Sequence, residues 1–295
     1  MSPFTRSVSA LFGAFTLFCA LAPSAAAVQT PEQSAVAIPK NGTFHANGVL
    51  VDSTTVVTAA NVVDGQLSSI FTVEVGSGGQ LGKGSVLAVT TYIIHHNYNV
   101  GSLTLPNDIA LLHLAQAVTF DAKTQPAFFA FDPAITYVGS VASLHGWWKD
   151  CSGTLNNAMQ SHMAPVVSTA DAKLQFVGAS VPPAVIGNDQ IAMFDSNNLA
   201  PGENSAIGSG IYVIHSGQRW LVGVHSFTLF GCTGQNLPAV GSRMTSYVPW
   251  ISNYAGTVST SLSAFGTGTP GCAGASLLTG FPLPKINTSF TLYST

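Results

Sequence analysis

Residues 48–61, Gly48-Val49-Leu50-Val51-Asp52-Ser53-Thr54-Thr55-Val56-Val57-Thr58-Ala59-Ala60-Asn61, read as two short strands with a break between them. Val, Leu and Thr fill both runs, Gly48–Val51 and Thr54–Ala59, and such residues pack well on a pleated surface. Outward from this stretch the same pattern recurs at Phe71–Val75, Ser85–Ile94, Asp108–Leu114, Ser140–Leu144, Ile211–His215 and Trp220–Ser226, punctuated by Gly, Asn, Pro and Asp. Many short strands at close spacing, separated by turn residues, predict an all-β barrel or sandwich. Only Met244–Tyr254 reads as a helix, and no repeat of constant period occurs.

The surface chemistry is unusual. Nine Lys+Arg and twelve Asp+Glu make 7% of 295 residues, where about 25% is typical of soluble domains. Polar surface must therefore come from hydroxyls, amides and backbone, which excludes a coiled coil or a charged helical bundle. With a formal net charge of −3 and no Lys/Arg cluster, the chain has no electrostatic footprint for nucleic acid or an anionic membrane.

Residues 1–27 form a unit of their own. Arg6, the apolar run Ala10–Leu21 and the small residues Ala22-Pro23-Ser24-Ala25-Ala26-Ala27 read as a secretory signal peptide. The run is shorter than the ~20 residues that span a bilayer, and no later segment qualifies. A secreted protein, extracellular or periplasmic, is expected. Of the four cysteines, Cys151, Cys232 and Cys272 follow this leader, so in an oxidising compartment one disulfide and one free thiol are expected.

Several motifs, taken in order, resemble the trypsin-like (chymotrypsin-fold) serine proteases. Residues 48–61 resemble the strand and turn that present the family's histidine, and His96-Asn97-Tyr98-Asn99 with Asn107-Asp108-Ile109-Ala110-Leu111-Leu112 resembles the segment carrying its aspartate. His145-Gly146-Trp147 and Ala164-Pro165-Val166-Val167-Ser168 look like the opening strands of the second barrel. Gly208-Ser209-Gly210-Ile211-Tyr212-Val213, Leu221–Phe227, Gly231-Cys232 and Tyr247-Val248-Pro249-Trp250-Ile251 complete the series. The resemblance implies two six-stranded antiparallel β-barrels within a domain at 28–254. The first barrel is expected at about 36–133, the second at about 134–243 and a closing helix at 244–254. Residues 255–295 read as a Gly/Ser/Thr-rich tail.

The family's mechanism needs a serine hydroxyl, an imidazole base, a buried carboxylate to orient it and backbone donors for the oxyanion. By the resemblance those three side-chain positions are Ile207, Asn61 and Asp108. An amide cannot act as a base near neutral pH and an alkyl chain cannot attack a carbonyl, so the group is broken at both reacting positions. Ser226 matches the serine that supports the aspartate. The oxyanion loop falls on Ser205, Ala206 and Ile207; Ser205 disfavours the positive φ such loops use, and Ala206 lacks the carboxylate that receives the family's buried amino terminus. A displaced nucleophile, Ser209 or Ser205, is the alternative reading, and a purely structural secreted module is a third.

His225 and Thr228 fall, by the same resemblance, in the primary specificity pocket, with Ala239 narrowing it. Glutamate-selective members place a histidine and hydroxyl residues there; His225 as a hydrogen-bonded barrel residue is the plainer alternative. The resemblance also implies a Cys151–Cys232 disulfide beside this pocket, with Cys272 free, because the customary partner position of Cys232 lies near Glu203. His95-His96 are expected on opposite faces of a strand, unsuited to one metal ion. No metal and no cofactor are expected. The expected partner is a polypeptide or protease inhibitor in the cleft between barrels of a monomer.

Overall fold

In the computed structural model, residues 48–61 form the end of one strand, a tight break and the next strand. The structure describes residues 28–178, 186–197, 206–229 and 236–255. The leader read at 1–27, the tail read at 255–295 apart from Ala255, and Ser205, Cys232 and Cys272 lie outside these residues. A short helix α1 (Pro31–Ser34) leads into β1 (Ala35–Lys40), which turns through Asn41-Gly42 into β2 (Thr43–Leu50). Both turn residues have positive φ, 50° and 78°, which the tight hairpin turn requires and which Asn and Gly tolerate best. β2 pairs with β3 (Thr55–Thr58), Val49 opposite Val57, and Asp52 Oδ1 ties the break by accepting from Thr54 N (2.7 Å) and Thr54 Oγ1 (3.1 Å).

β4 (Thr72–Val75), β5 (Ser85–Ile94) and β6 (Ala110–Leu114) complete a closed barrel in the order β1-β2-β3-β6-β5-β4. A second closed barrel runs β10-β11-β12-β9-β8-β7, built from β7 (Val141–Gly146), β8 (Gln160–Val167), β9 (Gln190–Met193), β10 (Gly210–His215), β11 (Gln218–Phe227) and β12 (Ala239–Arg243). Every strand pairing is antiparallel. The fold is therefore all-β, two six-stranded barrels with a C-terminal helix.

The apolar runs are continuous because their strands are buried on both faces. Val56 and Leu112 point into the first barrel with Ile38, Leu50 and Phe71. Their neighbours Val57 and Leu111 point the other way, into a layer shared with Tyr212, Leu221 and Val224 of the second barrel and with Met244, Tyr247 and Ile251. Those last three line the inner face of the closing helix (Met244–Tyr254). A Val fully buried in this way contributes about 1.5–3 kcal/mol, so the layer joins the barrels firmly. Ala46 and Val62 share the first core, and Ala142 pairs with Val213 in the second.

Two helices depart from the reading that Met244–Tyr254 stands alone, the single turn α1 and a longer one in the second barrel. Helix α2 (Thr169–Gly178) follows β8 directly, which makes the closing helix α3. Its start is set by Ser168, whose Oγ accepts from Asp171 N (3.0 Å) and donates to Asp171 Oδ2 (2.6 Å). Ala172 and Phe176, one turn apart, bury its inner face against Phe227 and Val240. Ser168 ends a strand-like run in the sequence, and the capping pattern it begins is what separates strand from helix.

Candidate functional site

The side chains expected at the triad positions, Asn61, Asp108 and Ile207, are carried by the segments next to β3, β6 and β10. Asn61 lies in the short helical turn Ala60–Val62 that follows β3. Asp108 sits just ahead of β6 and is wholly buried. Its Oδ1 accepts the backbone N–H of Asn61 at 2.8 Å, and its Oδ2 accepts Ser226 Oγ at 2.5 Å. Ser242 Oγ donates to the Asp108 carbonyl at 2.8 Å. Burial pushes the Asp108 carboxyl up to about 7, against the lowering effect of its hydrogen bonds from Ser226, Asn61 and Ala60.

The Asn61 amide does not engage that carboxyl. Its Nδ2 donates weakly to the Ser226 carbonyl at 3.4 Å, and its buried Oδ1 has no hydrogen-bond partner. Asp108 and Ser226 thus keep an arrangement that could orient an imidazole, while the side chain beside them can neither take nor deliver a proton.

Ile207 packs its side chain against the first-barrel core, and Ala206 is buried in the second. Gly208, at φ +80°, has no room for a Cβ because the Asn47 carbonyl oxygen occupies it. Ser209 is wholly buried, its Oγ lying against Gly146 without a hydrogen-bond partner. In this conformation the Ser209 hydroxyl is enclosed rather than presented to solvent. Ser205, the other candidate serine, lies outside the described residues.

His225, Thr228 and Ala239 are all fully buried. His225 Nε2 is 2.9 Å from Thr228 Oγ1. Burial pushes the His225 imidazole down to about 4, so it is neutral at physiological pH and offers hydrogen bonding rather than positive charge. Thr228 engages only one ring nitrogen, and the buried Nδ1 of His225 has no hydrogen-bond partner.

His95 and His96 differ from the expected opposite-facing pair. β5 ends at Ile94, the strand alternation stops there, and the two rings stack at 4.5 Å. His95 also meets Tyr247 and Trp250 edge-on, each at 5.2 Å. Among the described residues no group of three or more His, Cys, Asp or Glu side chains could hold a metal ion. No helix among them is long and apolar enough to cross a membrane. Cys151 is disulfide-bonded; Cys232, its expected partner, lies outside the described residues. Trp147 and Trp148 are both buried.

One residue of the site carries almost no mark in the sequence. Asn47, in β2, donates its backbone N–H to the Ile207 carbonyl at 2.9 Å and pairs its side chain with the peptide of Trp147. Its only sequence signal is a lone amide inside an apolar strand.

Comparison with known proteins agrees with this architecture. The family model described as Trypsin matches residues 23–251. The fibrinolytic enzyme isozyme C of Lumbricus rubellus is 30% identical over 208 residues, covering 68% of this chain and 85% of the relative. The inactive CLIP domain-containing serine protease A3 of Aedes aegypti is 27% identical over 238 residues, 74% of this chain and 48% of the relative. A crystal structure of a scabies mite inactivated protease paralogue superimposes with a TM-score of 0.65 at 20% identity, covering 75% of this chain and 91% of that one. Two closed barrels, a carboxylate–serine pair at the expected junction and a family match spanning most of the sequence lead to one assignment: this chain belongs to the trypsin family.

Proposed function

We propose that this trypsin-family chain is secreted, no longer hydrolyses peptide bonds, and acts by binding a polypeptide or a protease inhibitor in the cleft between its barrels. The observation that carries the reading is the pair of exchanges at the reacting positions. Asn61 supplies no base to the buried Asp108–Ser226 pair, and Ile207 puts an alkyl chain where a nucleophile belongs. Similar proteins whose names carry the words inactive or inactivated support it. Retained barrels would keep the cleft in which the family receives extended polypeptide.

Incubation of the secreted chain with a fluorophosphonate probe and a mixed peptide library tests the first part. No stoichiometric serine labelling and no cleavage are expected; labelling of one serine, with cleavage abolished by its alanine variant, would overturn the reading. Pull-down with protease inhibitors and with denatured polypeptides tests the binding role, which fails if neither is retained. The same reading pairs Cys151 with Cys232 and leaves Cys272 free. Non-reducing peptide mapping should recover the peptides of Cys151 and Cys232 linked by a disulfide, and a bond from either to Cys272 would refute the pairing.

A further inference from the structure

Asn47 is 1% exposed, and a buried amide must find partners for all of its polar atoms. It does so in three directions. Its Oδ1 accepts Trp147 N at 2.8 Å, and its Nδ2 donates to the Trp147 carbonyl at 2.9 Å and to the Ile207 carbonyl at 3.3 Å. Its backbone N–H donates to the same Ile207 carbonyl at 2.9 Å, and its own carbonyl accepts Thr58 Oγ1 at 2.7 Å. One side chain of the first barrel therefore mimics a peptide group for the second barrel while gripping the backbone at position 207.

The surrounding glycines are fitted to this contact. A Cβ on Gly208 would collide with the Asn47 carbonyl oxygen, and one on Gly146 would collide with Ser209 Oγ and crowd Asn47 Oδ1. On its far side the loop is stitched to β11, Gly208 N donating to the His225 carbonyl at 2.8 Å and His225 N to the Ser209 carbonyl at 2.8 Å. Ser209 N closes the turn on the Ala206 carbonyl at 3.1 Å.

The residues ahead of β1 are tied elsewhere. Gln29 Nε2 donates to the Pro126 carbonyl at 2.8 Å, the Gln29 carbonyl accepts Arg219 Nε at 3.0 Å, and Ser34 Oγ lies 3.1 Å from Tyr212 Oη. At 206 a buried methyl stands where an inserted amino terminus would need a carboxylate. We infer that Asn47 is the positioning residue that sets the loop 206–209, so this loop is organised when the two barrels close and needs no processed amino terminus. This holds whether or not the cleft binds a polypeptide.

Hydrogen exchange on the full secreted chain tests it, read by peptides covering 206–215 against reference peptides from β5 and β6. Asn47→Ala should speed exchange at Gly208 and Ser209 at least tenfold while the reference peptides stay protected. Asn47→Ser, which keeps one hydrogen-bonding group and is gentler on folding, should give a smaller rise at the same amides. An otherwise unaltered chain carrying an uncleaved extension ahead of Val28 should keep wild-type protection there to within twofold. Unchanged exchange in both Asn47 variants, a rise shared equally by the reference peptides, or loss of protection in the extended chain would each overturn the inference.

Discussion

With an amide at position 61, the Asp108 carboxyl is buried among neutral donors, and the cost of charging it falls on the folded state. Its folded value near 7 stands well above the ordinary carboxylate value of 3.8. The folded chain therefore holds a proton that the unfolded chain has released between those limits. Stability from this group is fully present below 3.8 and is lost as pH rises through 7. Asp108→Asn removes the titration and retains a carbonyl for the Asn61 N–H. The unfolding free energy of the wild type, measured against that variant in urea, should fall between pH 5 and pH 8 by an amount on the order of 1–3 kcal/mol, since one proton held only by the folded chain is worth about 1.4 kcal/mol for each pH unit crossed. A difference independent of pH would contradict the buried, protonated acid. Asn61, Asp108 and Ser226 are legible in the sequence because each stands inside a motif with a fixed neighbourhood. Asn47 is not, since its partners Trp147 and Ile207 are brought to it only by the closure of two barrels.

The elements differ in how plainly they declare themselves. β5 and α3 match their sequence readings at both ends, Ser85–Ile94 and Met244–Tyr254. β1, β9 and β12 escape a local reading for separate reasons. Pro39 sits at a register shift in β1, Gln190 opens β9 with an amide that reaches the Thr104 carbonyl at 2.7 Å, and Gly241 in β12 meets the Val224 carbonyl too closely to carry a side chain. Gln190 and Gly241 trade β propensity for tertiary contacts that a local pattern cannot display. α2 teaches the reverse, because its Ser168–Asp171 cap is local and specific. Ser168→Ala should lower stability by about 1 kcal/mol and loosen residues 169–178 in hydrogen exchange before any barrel strand. A variant as stable as the wild type would show that α2 is held by its buried face, Ala172 and Phe176, and not by the cap.

For the molecule as a whole, five histidines face acid in the same direction. Burial depresses His45, His95, His145, His162 and His225, the third and fifth to about 4. Since the unfolded imidazole titrates near 6.5, the unfolded state takes up protons first as pH falls. Their contribution is complete above 6.5 and is lost as pH drops toward 4. Asp108 acts in the opposite sense, so the unfolding free energy in urea should peak between pH 6 and 7 and fall more steeply on the acid side, with His145 and His225, the two depressed to about 4, each worth about 1.4 kcal/mol per pH unit at most. An unfolding free energy that rises on acidification from 6.5 to 4.5 would contradict it. The two barrels also bear on solubility. A surface with so few ions has little mutual repulsion to keep molecules apart at high concentration. Because each six-stranded sheet closes on itself, neither presents a bare row of amides and carbonyls to a neighbouring molecule, and hydrogen-bond closure does for dispersion what charge does in most proteins.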